Sequence, residues 1–444
     1  MACGPAGGAR VTRADAWIVT IGDELLRGEI VDSNKSFFSD RLLRLDLESA
    51  RHVSVPDDPA AIEEVLREAA SRARVVLVSG GLGPTRDDIT TEVAARAFGR
   101  RLLRDAVVLK EIRAFFHSLG REMAANNAKQ ADFPEGAEVL PNPLGTAPGF
   151  MLQAEGALLF FTPGVPRELQ RMTDEEILPR IEAQLGRGGV VRALLLRTFG
   201  LGESTLDHEL RDLARSDPDV TLGFRTQFPD NLVRVLVRAA DEAEAEKKLR
   251  DVVDRIHAKL GELVLGEGER PLEEIVGELL RERHLTLAVA ESCTGGLLTS
   301  RITDVPGSSQ YLVEAVVSYA DESKVRELGV SAADLKAHGA VSEPVAQQMA
   351  EGVRRRAGTD LGLATTGIAG PGGGSPEKPV GTVCVALSDA EGTVVRRYQL
   401  MRDRTRNKLL ASQLALDWVR RRLLGLEIGQ ETFPRLRGTG GGGS

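Results

Sequence analysis

Apolar and polar positions along the first 185 residues follow two alternating periods. Short apolar runs at 16–21, 50–55 and 75–78 read as strands, and the last is continuous enough for burial on both faces. Between and after them, residues 36–45, 60–71, 89–98 and 106–119 carry apolar side chains at helical spacing. This alternation predicts a three-layer α/β domain with a mostly parallel sheet over residues 15–187. From 188 to 264 the pattern changes to a small α+β module. A strand at 193–198 leads to a helix at 204–214, two strands (221–226 and 232–238) flank a turn at 227–231, and a charged amphipathic helix covers 242–259. Residues 265–271 read as a linker. Residues 272–425 return to α/β, with a helix at 272–283 and strand-like runs at 285–290, 313–317, 361–364, 380–386 and 393–400. An amphipathic helix at 406–424 is expected to cover one face of that sheet. The ends, 1–14 and 426–444, read as flexible, the latter closing in GTGGGGS.

Composition narrows the class without naming it. The chain has 444 residues, 42% hydrophobic and 27% charged, with a net charge of −8, as expected of a globular protein of two or three domains. No long basic run exists, so nucleic acid is not an expected partner. Cys3, Cys293 and Cys384 form no CxxC pair and no metal-ligand cluster, which points to a reduced, cytoplasmic setting. No apolar h-region opens the chain, and no run approaches the ~20 residues of a membrane span.

The densest candidate chemistry is AVAESCTGGLL at 288–298. A strand that stops at Glu291, Ser292 and Thr294, then restarts as a glycine-opened helix, sets a hydroxyl beside free backbone N–H groups. Ser292 as a nucleophile and Ser292 or Thr294 as a plain N-cap both fit this run alone. Two more strand ends sharpen the choice: Tyr319-Ala-Asp-Glu-Ser-Lys324 after one apolar run, and TTGIAGPGGG at 365–374 after another. The region's two histidines, His284 and His338, adjoin none of these motifs, so a histidine triad is not expected. Lys324, in the first turn of a helix, is the better base, because the helix dipole and burial both disfavour an ammonium there.

The N-terminal domain repeats the arrangement with different chemistry. Gly22-Asp23-Glu24-Leu25-Leu26-Arg27-Gly28 follows the first strand, with Asn34 close behind, and SGGLGPTRDD (79–88) follows the central strand and opens a helix. Glycines that bring backbone N–H groups to a phosphate (Gly80, Gly81, Gly83), beside carboxylates suited to a divalent cation (Asp23, Glu24, Asp87, Asp88), fit a nucleotide-phosphate site. A tight turn with Asp87 or Asp88 capping the next helix accounts for the same residues. Neither a Walker loop nor a dinucleotide fingerprint is present.

These motifs carry a resemblance. AESCTGG, the Tyr-x4-Lys element and TGIAGPGGG resemble the nicotinamide mononucleotide deamidase domain of the CinA family. GDELLRGEIVDSN and SGGLGPTRDDITTE resemble the molybdopterin-binding fold at the N-terminus of CinA proteins, and the middle module matches their KH-like domain in position. The resemblance implies a bifunctional hydrolase that acts on two small nucleotides. One head would deamidate nicotinamide mononucleotide without metal; the other would cleave ADP-ribose to AMP and ribose 5-phosphate with magnesium or manganese. On this reading Ser292 is the nucleophile, Lys324 the base and Tyr319 a proton relay. Gly295 and Gly296 supply oxyanion donors, while Glu291 and Thr294 line the substrate. Thr366, Gly367, Gly370 and Gly373 contact the nucleotide, and Arg404 holds its phosphate. Arg402 stands where the family usually has glycine. The middle module lacks the Gly-x-x-Gly loop of RNA-binding KH domains and reads as a spacer or dimerisation module, with a homodimer expected. Two other functions remain open at this point: a molybdopterin-binding or adenylylating N-terminal domain, and a non-catalytic accessory protein in DNA uptake or recombination.

Overall fold

A computed structural model describes residues 14–186 and 189–429. The expectations for 1–13 and 430–444, and Cys3 with them, lie outside the described residues. The described residues form two compact units: 14–192 with 238–247, and 193–237 with 248–429.

The first unit is built on six strands: β1 (Ala14–Ile21), β2 (Ser49–Val55), β3 (Ala73–Ser79), β4 (Glu138–Leu140), β5 (Gly149–Ala154) and β6 (Ala157–Thr162), in the order β2-β1-β3-β6-β5-β4. The first four in that order are parallel; β5 and β4 add antiparallel at one edge. The sheet is mostly parallel because helices cover both faces. Trp17, Val19 and Ile21 enter one apolar core and Ala16 and Ile18 the other, which is why β1 is apolar on both faces from Ala16 to Val19. Helices α1 (Ser33–Leu43), α2 (Pro59–Arg72) and α3 (Thr90–Ala97) follow β1, β2 and β3. Asp58 caps α2 by accepting from the N–H groups of Ala60 and Ala61, with Pro59 in the first turn.

The second unit holds most of the α+β module and the C-terminal α/β domain. In the module, β7 (Val190–Thr198), α4 (Glu203–Arg215), β8 (Val220–Gln227), β9 (Asp230–Ala239), α5 (Glu242–Leu260) and β10 (Val264–Glu267) give the sheet order β8-β9-β7-β10. The stretch expected to be a linker is therefore partly structured: Val264–Glu267 pairs antiparallel with β7, burying Leu265. The C-terminal domain comprises α6 (Leu272–Glu282), β11 (Leu287–Glu291), α7 (Leu297–Thr303), β12 (Leu312–Val317), α8 (Asp321–Leu328), α9 (Glu343–Ala357), β13 (Leu361–Gly367), β14 (Thr382–Ser388), β15 (Thr393–Gln399) and α10 (Arg404–Leu424). Its sheet order is β12-β11-β13-β14-β15. β11 lies between two parallel neighbours, so all five of its residues are buried.

The last helix covers a face of the sheet as expected, but from Asn407 to Leu423 α10 is buried nearly all round, its polar Asn407, Gln413, Asp417, Arg420 and Arg421 included. One side packs on the C-terminal sheet, and the other meets the α+β module, whose Phe199 and Leu265 belong to the same apolar core as Leu410, Leu414 and Trp418. Among the described residues no helix is long and apolar enough to cross a membrane.

Candidate functional site

Three carboxyl-terminal strand ends meet in the C-terminal domain. The Ser292 N–H donates to the carbonyl of Thr365 at 2.9 Å, and the Ser318 N–H donates to the carbonyl of Glu291 at 2.9 Å. The ends of β11, β12 and β13 are thus laced together, with Ser292 at the centre and 8% exposed.

Lys324 lies in the first turn of α8 and is 1% exposed. Its Nζ donates to the carbonyl of Ser318 at 2.9 Å and to that of Tyr319 at 3.2 Å. Burial lowers its pKa below the ordinary lysine value, against the opposing pull of Asp321, whose carboxylate is 3.9 Å away and exposed. A neutral amine anchored by two N–H groups leaves its lone pair as the unused valence. Among the described residues no hydrogen bond joins Lys324 Nζ to Ser292. Tyr319 is exposed, and its hydroxyl accepts from Arg404 Nη2 at 3.1 Å, while Arg404 Nη1 donates to the carbonyl of Gly370 at 2.8 Å. Four expected residues from three distant segments (Tyr319, Lys324, Gly370 and Arg404) therefore share one neighbourhood.

Several expected roles are corrected. Glu291 is fully buried and does not face a substrate. Its carboxylate accepts from the N–H groups of Gly296 (2.8 Å), Leu298 (3.2 Å) and Thr299 (2.8 Å), and from the Thr299 hydroxyl at 2.6 Å. The carboxylate thus caps α7 from inside. The Gly296 N–H is engaged by that cap and the Gly295 N–H by the Ser292 carbonyl at 3.1 Å, so neither is an open oxyanion donor. Thr294 is buried against Thr365, hydroxyl to hydroxyl at 2.8 Å, tying two strand ends together, and the Thr366 hydroxyl donates to the carbonyl of Ala340, in the bend before α9, at 2.9 Å. Gly367 is a packing glycine, since a Cβ there would lie 2.8 Å from the Thr382 carbonyl oxygen. Gly373 sits in an exposed segment. Cys293 packs inward as expected, its thiol pushed up to about 12 by burial.

In the first unit, a cavity of about 440 Å³ opens at the carboxyl ends of β1, β3 and β6. Gly80, Gly81, Gly83, Glu24, Asp87 and Asp88 line it, as does Asp57 at the end of β2. Asn34 lines an adjoining recess, donating to Ser79 Oγ at 3.0 Å and to the Gly164 carbonyl at 2.8 Å. The Gly80 N–H donates to the Thr162 carbonyl at 3.0 Å, so this glycine shapes the turn instead of offering its amide. Asp88 does not cap α3; it accepts from the Thr85 N–H at 2.8 Å and closes the glycine turn. Asp23 does not line the cavity. It turns to Arg27 at 2.5 Å, and Asp57 takes its place. Burial raises the Asp57 pKa, and the charges of Glu24, Asp23 and Asp87 push it the same way. Among the described residues no three His, Cys, Asp or Glu side chains converge as a closed metal site.

Comparison with known proteins agrees with this layout. Residues 17–183 match the profile described as a "probable molybdopterin binding domain", 194–266 the CinA KH domain, and 269–423 the CinA C-terminal domain. A CinA-like protein of Geobacter metallireducens is 44% identical over 408 residues, covering 92% of this chain and 98% of that protein. Another from Syntrophus aciditrophicus is 46% identical over 410 residues, covering 91% and 97%. The chain belongs to the CinA family. Among solved structures, a competence/damage inducible protein from Agrobacterium tumefaciens is 36% identical, with a TM-score of 0.32, covering 33% of this chain and 93% of that one.

In this CinA-family chain, sequence reasoning overlooked Asp57, Ser318, Asn407 and Lys408. Asp57 follows a strand in Val55-Pro56-Asp57-Asp58 and was open to the strand-end rule that found Asp23. Ser318 is buried with an unpartnered hydroxyl, and its carbonyl holds Lys324. Asn407 is buried and donates to the carbonyls of Ala369 (2.9 Å) and Met401 (3.0 Å), fixing the glycine loop against α10. Lys408, one turn beyond Arg404, brings its Nζ within 3.7 Å of where a Cβ on Gly295 would sit. That proximity depends on packing between distant segments and left no local signal.

Proposed function

We propose that the C-terminal domain hydrolyses nicotinamide mononucleotide to nicotinate mononucleotide and ammonia. Ser292 Oγ attacks the carboxamide carbon and passes its proton to the lone pair of neutral Lys324, which returns it to the departing ammonia. Water then attacks the acyl-serine ester and, with the same base, releases the carboxylate. The observation that carries this reading is the buried Lys324 amine. It is held by two carbonyls and has its pKa lowered in the strand-end cluster that contains Ser292. Arg404 sits beside Tyr319 and Gly370, where its guanidinium suits the substrate phosphate. The engagement of Gly295 and Gly296 assigns oxyanion stabilisation to other donors, with Lys408 the cation beside that turn. Ammonia release from nicotinamide mononucleotide by the purified protein tests the reading. Wild-type turnover that Ser292→Ala abolishes supports it, and unchanged turnover by Ser292→Ala refutes it.

For the first unit we propose a second activity, hydrolysis of the diphosphate link of ADP-ribose by water to AMP and ribose 5-phosphate. Supporting it is the cavity lined by Glu24, Asp57, Asp87 and a glycine turn. All the charged donors are carboxylates, which fit magnesium or manganese shared with phosphate oxygens better than a closed protein cage. Since among the described residues no three carboxylates converge there, such an ion would be held by one or two of Glu24, Asp57 and Asp87 together with substrate phosphate oxygens, and would neutralise diphosphate charge when bound. AMP formation from ADP-ribose with and without added magnesium is the test, and no AMP under either condition refutes it.

A further inference from the structure

The polar side chains that α10 turns toward the α+β module form an ordered row, with Gln413 and Arg420 buried and Arg406 exposed at its start. Arg406, Gln413 and Arg420 recur every seven residues, about two helical turns, so they share one stripe of the helix. Each member of that stripe meets the α+β module. The Arg406 guanidinium lies 5.2 Å from the centroid of the Phe228 ring. Gln413 Nε2 donates to Asp230, whose other oxygen pairs with Arg197 at 2.6 Å. Arg420 Nη2 donates to the Glu262 carbonyl at 2.8 Å, and neighbouring Arg421 pairs with the Glu262 carboxylate at 2.9 Å.

The opposite side of the same helix serves the site. At about 100° per residue, Arg404 lies about 200° from Arg406, so the two point to opposite sides. Arg404 reaches Tyr319 and the Gly370 carbonyl, and Lys408 approaches Gly295. The polar row also extends to the nucleophile's helix. Gln413 Oε1 accepts from Arg301 on α7 at 2.6 Å, and Arg301 donates to Glu273 at 2.7 Å. Helix α7 begins at Leu297, five residues after Ser292.

We propose that the middle module is the positioning element of the C-terminal site. Phe228, Asp230 and Glu262 fix α10 along one stripe so that Arg404, on the other, stays aimed at Tyr319 and the Gly370 loop. Phe228 and Asp230 are positioning residues: they act through Arg406 and Gln413 and touch no substrate. The buried Arg197–Asp230 pair, each side chain 6% exposed, makes this contact a fixed joint with defined geometry. The kinetic form of the proposal rests on the deamidase reading; its structural form does not.

Three substitutions at Phe228 separate positioning from bulk packing. Phe228→Ala removes the ring, Phe228→Leu keeps apolar volume without the π face, and Phe228→Tyr keeps both. Phe228→Ala and Phe228→Leu should raise KM for nicotinamide mononucleotide about three- to tenfold with kcat within about twofold, the range of one cation–π contact. Phe228→Tyr should restore the wild-type KM. Turnover of nicotinamide riboside, which lacks the phosphate, should be unchanged in all three. Equal losses on both substrates, or a wild-type KM in Phe228→Ala, would overturn the proposal. Amide hydrogen exchange over residues 404–410 gives a reading independent of activity. Faster exchange there in Phe228→Ala, with β11 and β13 unchanged, supports the joint even if the wild type releases no ammonia, an outcome that would sink the deamidase reading alone. Unchanged exchange refutes the joint. Asp230→Asn, which keeps the side-chain shape, should repeat the KM effect.

Discussion

Lys324→Met is the most discriminating change at the C-terminal site. Methionine matches the lysine stem in length and apolar character but carries no proton acceptor of useful basicity. Two hydrogen bonds are lost, to the carbonyls of Ser318 and Tyr319, each about 1 kcal/mol net. Against that loss, the variant no longer holds an amine that burial disfavours in its charged form. The net stability change should stay within about 2 kcal/mol, small beside the 5–15 kcal/mol typical of a domain, so the protein remains folded. Activity should not survive so well: a positioned general base is worth about 10²–10⁴ in rate, or about 3–5 kcal/mol of barrier. A coupled ammonia assay would measure the loss, and the wild-type pH profile would check its cause. On the proposed mechanism the neutral amine is the active form, so kcat/KM should rise with pH and level off below the ordinary lysine value. The stability contribution has the matching sign. The unfolded chain keeps this proton to about pH 10.4 while the folded chain releases it earlier, so stability from this group rises with pH across that window. Lys324→Met should lack both slopes. Turnover within fivefold of wild type in the folded variant, or a wild-type rate that falls as pH rises, would remove Lys324 as the base.

Glu291→Gln should destabilise the second unit by about 2–4 kcal/mol in urea unfolding, because four hydrogen bonds lose a charged acceptor; a change under about 0.5 kcal/mol would contradict the internal cap. Gly80→Ala would place a Cβ 2.2 Å from the Ile21 carbonyl oxygen at a φ of +110°, so ADP-ribose cleavage should fall more than about tenfold while ammonia release is unchanged. Wild-type AMP formation by that variant would show that the turn is not part of the site. Chelation should stop AMP formation and leave deamidation intact, and ammonia release that vanishes with EDTA and returns with magnesium would overturn the serine–lysine mechanism.

Much of the architecture was legible because its causes are local. β1, β3 and β11 are flanked on both sides by strands and covered on both faces, so their central residues are mostly apolar and polar residues follow their ends. The same rule located Ser292, Lys324 and the SGGLGPTRDD turn. What it could not resolve is the direction in which each polar group points. Glu291 and Ser292 are neighbours at one strand end. The pleat and the following turn send the carboxylate inward to cap α7, while Ser292, 8% exposed, stays where the strand ends meet. Asp23 and Asp57 exchanged roles for a similar reason, since the Arg27 side chain one helical turn on claims the Asp23 carboxylate.

Helix α10 marks the limit of such reading. Its sequence from Arg404 to Leu424 carries basic and amide side chains at intervals that elsewhere would mark a solvated face. From Gln413 onward they are buried because their partners are supplied from far along the chain, Asp230 for Gln413 and Glu262 for Arg420 and Arg421, while Arg406 lies exposed over the Phe228 ring. A buried charge without a partner costs several kcal/mol, so these groups can be inside only if the module is in place first or folds with the helix. Periodicity within one helix reports how much of its surface is polar. Whether that surface meets water or a matched set of buried partners is a property of the tertiary fold. The residues that decided the matter here, Arg197 and Asp230, lie in the segment with the least functional signal of its own.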